Sequence, residues 1–442
     1  MKIINKLIIP IIITILLLCA SNSQWGKDGW KNIIKVDGKG YYAYLPALFI
    51  YQDLNFSFFD SIEKKYPNPH IYYDYRVGEE NKKVNKYFAG TALAMMPFFV
   101  TAHVAAEKCG FETDGYSKIY LVAISIAAIF YLMIGLYFLK KLLLRLDTSA
   151  TLTSFILIVV TFATNIFYYA LCEPAMSHLY SFAFITMFVY FLAIFFSFPK
   201  ALTVYIIAAL YGIIILIRPV NGMIVLIAPF MANDKIKFKE GLYYLKNNFF
   251  TGVIGLFITI SIVSIQLIIY KIQTGNFWIN SYGTEQFNWT NPHPIDFLIS
   301  YKKGLFVYTP LACIALLGFY KLFKQNKFQF YSLFIFLIVM LYVLSSWWSW
   351  WYGGSFSSRV CIEYYFILAL LLSVAYQMLQ SRWSKNLYTS VIICLLLICQ
   401  IQTYQYRYYI IHWDKMDKEH YWRVFLRVDQ LGKENPNADL LK

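Results

Sequence analysis

Residues 88–107 read FAGTALAMMPFFVTAHVAAE. The stretch is apolar and near spanning length, yet it contains Pro97 and His103 and ends on Glu107. Whether it crosses the membrane fixes the side on which every later loop lies. Charge arbitrates. If it does not cross, the short segments on the side of the N-terminus hold Lys2, Lys6, Lys140, Lys141, Arg145, Lys200, Lys235, Lys237, Lys239, Lys246, Lys321, Lys324, Lys327, Arg382 and Lys385, fifteen basic residues. The opposite short segments then hold Arg218, Lys271, Lys302, Lys303 and Arg359, only five. If it does cross, thirteen of the fifteen change sides. Short cytoplasmic loops carry the excess of Lys and Arg. The stretch is therefore expected to lie in the outer interface or to re-enter there.

The rest of the chain fits a membrane setting. Of 442 residues, 59% are hydrophobic and 14% charged, whereas a soluble domain carries about 25% charged residues. The net charge of +15 sits mostly in short loops, so it reads as an orientation signal and not as a nucleic-acid surface. Seven cysteines show no CxxC pair and six histidines no HxxxH spacing; the cysteines read as packing residues. Cys19, after Leu16-Leu17-Leu18, faintly resembles a lipoprotein processing site, and Lys2 and Lys6 before an apolar run fit a signal peptide. Repeated spans downstream favour an uncleaved first helix.

A crossing helix needs about 20 apolar residues. Candidates are 3–20, 118–139, 150–167, 177–198, 249–270, 304–323, 328–346, 363–380 and 387–403. The run 201–232 would be roughly 48 Å long as one helix. Arg218-Pro219 and Asn221-Gly222 break it, so it reads as a hairpin of 201–217 and 220–232. The expected fold is an all-α polytopic membrane protein of about eleven transmembrane helices, with its N-terminus inside. Residues 1–403 form one membrane domain, 21–117 a large first outer loop with interfacial helices, and 404–442 a short outer tail.

This topology places most of the suspicious polar residues on one face. In the first loop, VDGKGYYAYLPALFIYQD (36–53) sets Asp37 before Tyr41 and Tyr42. Asp37 reads as a general base or a ligand near the membrane surface, or as an ordinary exposed carboxylate. Lys82, Lys83 and Lys86 precede the apolar stretch; lysines there suit a lipid phosphate or simply snorkel. Glu173 and His178 end two spans and read as an acid/base pair or a structural contact. Arg218, in an apolar run, wants an anion, and phosphate matches a guanidinium fork. The loop 271–303 offers Glu285 and His293 beside Trp278, Tyr282 and Trp289, which stack on sugars or form an aromatic belt. Finally, WWSWWYGGSFSSR (347–359) combines Trp347, Trp350 and Trp351 with Gly353-Gly354 and Arg359. A belt explains one or two tryptophans. The glycines, serines and arginine after them suit a phosphorylated lipid carrying a sugar.

A first-helix anchor, an aspartate followed by tyrosines in a large first loop, SHLYS (177–181), IRPVNG (217–222), KKGLFVYTPLACIALLGF (302–319) and WWSWWYGGSFSSR together resemble the GT-C glycosyltransferase superfamily. Its members include protein O-mannosyltransferases and aminoarabinose lipid A transferases. The resemblance implies transfer of a hexose or pentose from a polyprenyl-phosphate donor on the non-cytoplasmic face of a bacterial inner membrane. The acceptor is a lipid, glycan or protein, and no nucleic acid takes part. Asp37 maps to the first-loop acid, and Lys86, Arg218 and Arg359 would hold the donor phosphate. Many relatives carry a second acid beside the first, where this chain has Gly38; Glu173 therefore stays in contention as the base. A divalent cation on first-loop carboxylates stays open. Two other readings compete: an O-antigen-type polymerase or ligase, and a lipid-linked glycan transporter or flippase, which would place ionisable residues near the midplane.

Overall fold

Inside a bilayer the backbone has no water to bond, so each spanning segment must satisfy itself as a helix. The computed structural model describes residues 2–67, 72–78 and 82–428. Among these, the only two-stranded ribbon pairs Arg76–Val77 antiparallel with Val84–Asn85; nearly all other regular structure is helical. Seven helices are long and apolar enough to cross a membrane: Asn5–Ser23, Lys118–Arg145, Ser177–Ser197, Phe249–Thr274, Lys327–Ser345, Arg359–Met378 and Arg382–Arg407. The helices Ala150–Phe162 and Ile166–Cys172, bent by 56° at their break, make an eighth if taken together. The protein is an all-α integral membrane protein.

The expected count of eleven is not met, and length is the reason. Ala201–Ile217 has 17 residues, roughly 26 Å at the α-helical rise. Its expected partner is a 3-10 helix, Pro219–Ile227, followed by a single turn, Ala228–Met231. The segment 304–323 is split into Leu305–Tyr308 and Leu311–Gln325, because Pro310 cannot continue a helix from the turn before it. All three fall short of the roughly 30 Å hydrocarbon core. The break at Arg218 is where the sequence placed it, in extended backbone (φ −150°, ψ 112°).

The apolar stretch 88–107 forms the helix Gly90–Cys109. Its start adjoins Tyr87, whose hydroxyl donates to Asp37 Oδ1 at 2.8 Å. Its end leads to Asp114, which accepts from Lys65 (2.8 Å) and Tyr66 (2.7 Å) of the same first loop. Both ends therefore stay with the first-loop elements. The helix lies beside Asp37–Phe49, with Tyr42 edge-on to Phe99 at 5.8 Å. Gly90 permits its closest approach: a Cβ there would lie 2.3 Å from the backbone nitrogen of Ile217. That contact brings Tyr87 and Lys86 beside the Arg218 turn.

Helices Ser177–Ser197 and Arg359–Met378 are mostly enclosed by their neighbours, whereas Phe249–Thr274 is mostly exposed. Phe249, Phe250, Leu256 and Phe257 point outward from it. Such an apolar exterior would be untenable in water and is the natural boundary with lipid. The tail is not a loose appendage. Residues 408–428 fold back, and Lys418–Val424 is helical; positions 429–442 lie outside the described residues.

Candidate functional site

Helices that alternate in direction bring every second connection to one end of the bundle. One cavity of about 1420 Å³ opens there. Its walls come from the first loop, the turn before Ser177–Ser197, the Arg218 turn, the end of Phe249–Thr274, the loop 278–289, the tryptophan loop and the tail. Five cationic side chains (Lys35, Lys86, Arg218, Arg359 and Arg407) and three carboxylates (Asp37, Glu173 and Glu285) line it.

The centre is the pair Asp37–Arg359, 322 residues apart in the chain, with Arg359 Nη2 donating to Asp37 Oδ2 at 2.7 Å. Asp37 opens its helix directly after Val36, whose φ of 47° is rare for a β-branched residue. A backbone so placed costs about 1–3 kcal/mol and is held by the surrounding packing. Tyr87 supplies the second hydrogen bond, and its hydroxyl also pairs with that of Tyr73. Burial pushes the Asp37 carboxyl upward, but the Arg359 charge, the Tyr87 hydrogen bond and the Lys86 charge outweigh it and hold it below its ordinary value. Asp37 is thus an anion at neutral pH. The Arg359 side chain also lines the cavity, so its guanidinium can meet an incoming oxyanion.

A second pair stands behind the first. Arg218 Nη1 donates to Glu363 Oε1, which also meets His178 Nδ1 at 2.8 Å. Glu363 is completely enclosed, whereas Arg218 and His178 reach the cavity wall. The expected Glu173–His178 contact is not made. Glu173 ends one helix and His178 begins the next after Pro174, so the side chains diverge. Glu173 instead meets Lys35 at 3.5 Å and accepts from Tyr168 at 3.0 Å. Burial pushes the Lys35 ammonium down, but Glu173, with Tyr409 and Cys172 beside it, more than offsets that and holds the group above its ordinary value. A third pair, Lys86–Glu285 at 2.6 Å, closes the side below Tyr282.

Of the residues singled out from sequence, Asp37, Tyr41, Lys86, Glu173, His178, Arg218, Trp278, Tyr282, Glu285, Trp289, Trp347, Gly353, Gly354 and Arg359 line the cavity. Tyr41 packs on Tyr87 at 4.5 Å, and Trp347 meets Tyr282 edge-on at 5.6 Å. Tyr42 does not join them. Consecutive residues on a helix point about 100° apart, and Tyr42 is buried in the core with its hydroxyl on the Gly115 carbonyl. His293 lies outside, against Asp296 at 3.1 Å and stacked near Trp350 at 6.0 Å. Trp351 is covered by the Lys302 ammonium at 3.6 Å. The tryptophan loop is held by a single antiparallel bridge between Phe287 and Trp347 and by Trp348 N–H to Gln286 O at 3.2 Å. Gly353 takes a φ of 63°, open to glycine, and turns the chain so that Gly354 can pack under Trp413.

Sequence reasoning missed Glu363, Lys35, Tyr73 and Tyr87. Glu363 carried a usable signal, an acid at the edge of an apolar span. Among the described residues no three His, Cys, Asp or Glu side chains converge as a metal site. The chain matches no model of a known protein family, and no curated protein matches it. Chemically, the cavity combines a buried carboxylate, an excess of cations and large aromatic walls. Such a site can bind an anion, remove a proton beside it and shield both from water.

Proposed function

We propose that the protein is a membrane glycosyltransferase of the GT-C kind. It moves a sugar from a polyprenyl-phosphate donor to an acceptor hydroxyl at the non-cytoplasmic face, with the N-terminus inside. The observation that carries this reading is the Asp37–Arg359 pair, where an ionised carboxylate and a guanidinium meet in the wall of one cavity.

In this reading the donor phosphate lies against Arg359, with Arg218 and Lys86 adding positive charge. The acceptor oxygen attacks the anomeric carbon. Its proton passes to Asp37 as the carbon–phosphate-oxygen bond breaks, and polyprenyl phosphate leaves with the bonding electrons. The leaving charge falls on the arginines in a site largely shielded from water, where such stabilisation is strongest. The depressed carboxyl makes Asp37 a weak base that is fully ionised at neutral pH. That suits a reaction in which bond breaking runs ahead of proton transfer. The apolar wall of Phe88, Ile217, Val220 and Leu267 offers a surface for an isoprenoid chain.

The test is transfer from radiolabelled polyprenyl-phosphate sugars into lipid, glycan and protein fractions. Membranes enriched in wild type, Asp37→Asn or Arg359→Ala would be compared. Transfer by wild type and loss in both variants, at equal expression, supports the reading. Equal transfer by all three removes the pair from the chemistry. Uptake of intact donor into vesicles without transfer favours the flippase.

A further inference from the structure

The cavity has two chemically different ends. One, beside Phe88, Ile217 and Leu267, is apolar. The other is built by the end of the first helix, the Glu173 turn and the tail, and presents Gln24, Lys35, Glu173, Arg407, Tyr409 and Trp413. Asp37 and Arg359 line the same cavity, and Glu173 is close enough to Arg359 to act on its charge.

The tail is folded into place. Lys302 pairs with Asp414 at 3.3 Å. Tyr421 accepts from Gln402 at 3.1 Å and packs on Tyr301 at 5.2 Å. Gln405 donates to the Val424 carbonyl at 2.7 Å. Lys303 joins the two halves of this end, donating to the Ser355 carbonyl while lying 5.0 Å over the Tyr406 ring. Trp413 is then left exposed on one face, backed by His412 at 5.7 Å and by Gly354. A Cβ on Gly354 would come within 3.2 Å of the indole. Arg407 uses a single N–H on the Ser23 carbonyl at 3.1 Å, out of five.

We infer that this end is the acceptor subsite and that it takes a carbohydrate. Trp413 is the platform for a sugar ring, and Arg407 with the Lys35–Glu173 pair provides the hydrogen bonds to its hydroxyls. An indole face with planar donors and a carboxylate around it matches a polyhydroxylic ring, which has apolar C–H faces and a polar rim. An acyl chain would leave these charges desolvated and unpaired. The inference rests on the glycosyltransferase reading above.

The test uses the full-length protein in membranes of its source organism, which supply the natural acceptors. Two probes are applied: radiolabelled polyprenyl-phosphate sugar, and polyprenyl phosphate bearing a benzophenone for photolabelling. Trp413→Ala and Arg407→Gln are expected to lower transfer into the glycan fraction by about tenfold or more while photolabelling stays within about twofold of wild type. Trp413→Tyr keeps an aromatic platform and is expected to retain most transfer, which separates stacking from a folding defect. Unchanged transfer in Trp413→Ala and Arg407→Gln overturns the inference. So does parallel loss of photolabelling, which would assign this end to the donor. Transfer solely into protein or lipid overturns the carbohydrate class. Photolabelled wild type that transfers nothing overturns the glycosyltransferase reading itself, and that failure is distinguishable because it needs no variant.

Discussion

Two arginine–carboxylate pairs stand at the same end of this bundle, and access separates them. In Asp37–Arg359 both partners line the cavity. In Arg218–Glu363 only the arginine does; the carboxylate is sealed and holds His178 as well. A carboxylate that an incoming hydroxyl can reach is available as a base. A sealed one fixes the geometry of its partners and, if removed, leaves a charge stranded. The same residue types at similar distances thus have different roles, and the comparison yields a ranked set of expectations.

The largest effect should come from Asp37→Asn. Loss of a general base costs about 10²–10⁴-fold in turnover, and donor KM should hardly move. Steady-state kinetics in proteoliposomes checks both. Glu363→Gln should act on stability instead. Breaking an enclosed pair costs about 3–5 kcal/mol, and the low end applies because Arg218 reaches the cavity. A lowered melting temperature of the detergent-solubilised protein is the readout.

Arg359→Gln should lower turnover by about 10²-fold and also change its pH dependence. Asp37 is held low chiefly by Arg359 against its own burial. Without that charge the carboxyl titrates at higher pH. The acid limb of the rate profile should therefore move upward in the variant, and the wild-type limb should lie below the ordinary Asp range of about 3.9. The linkage to stability has the same sign: the pair's contribution is present above the unfolded pKa and is lost as pH falls through the folded one.

Lys86→Ala should have a smaller effect, about tenfold on donor KM, because Lys86 is tied to Glu285 and shares the anion with two arginines. The smallest effect belongs to residues the structure places outside the cavity. His293→Ala and Trp350→Ala should leave transfer unchanged and stability within about 0.5 kcal/mol. A large loss of transfer in either would bring that residue into the site.

Much of this arrangement was legible in the chain. Arg218-Pro219 broke its apolar run as expected, and the residues flanking 88–107 contact first-loop residues on both sides. Asp37 and Arg359 were each singled out and meet directly. What failed has physical causes. Of the three runs that fall short of a span, a 3-10 segment and Pro310 shorten two, and Ala201–Ile217 has only 17 residues before the Arg218 break. The Glu173–His178 pairing was drawn from nearness in sequence, and the intervening turn separates them. Glu363 stood at the first position of a run read only as a membrane span, so its carboxylate was not weighed as a partner for Arg218. The tail, with His412, Trp413 and Trp422, was assigned no role, because its placement depends on Trp413 meeting a glycine some sixty residues upstream.

The most direct test loads equal amounts of folded wild type, Asp37→Asn and Glu363→Gln with radiolabelled polyprenyl-phosphate sugar and follows one turnover with acceptor present. The account expects Asp37→Asn to hold its donor uncleaved while wild type empties. Folded Glu363→Gln should turn over within about tenfold of wild type. Wild-type turnover by Asp37→Asn, with folded Glu363→Gln inert, would contradict the account and move the base to the enclosed pair.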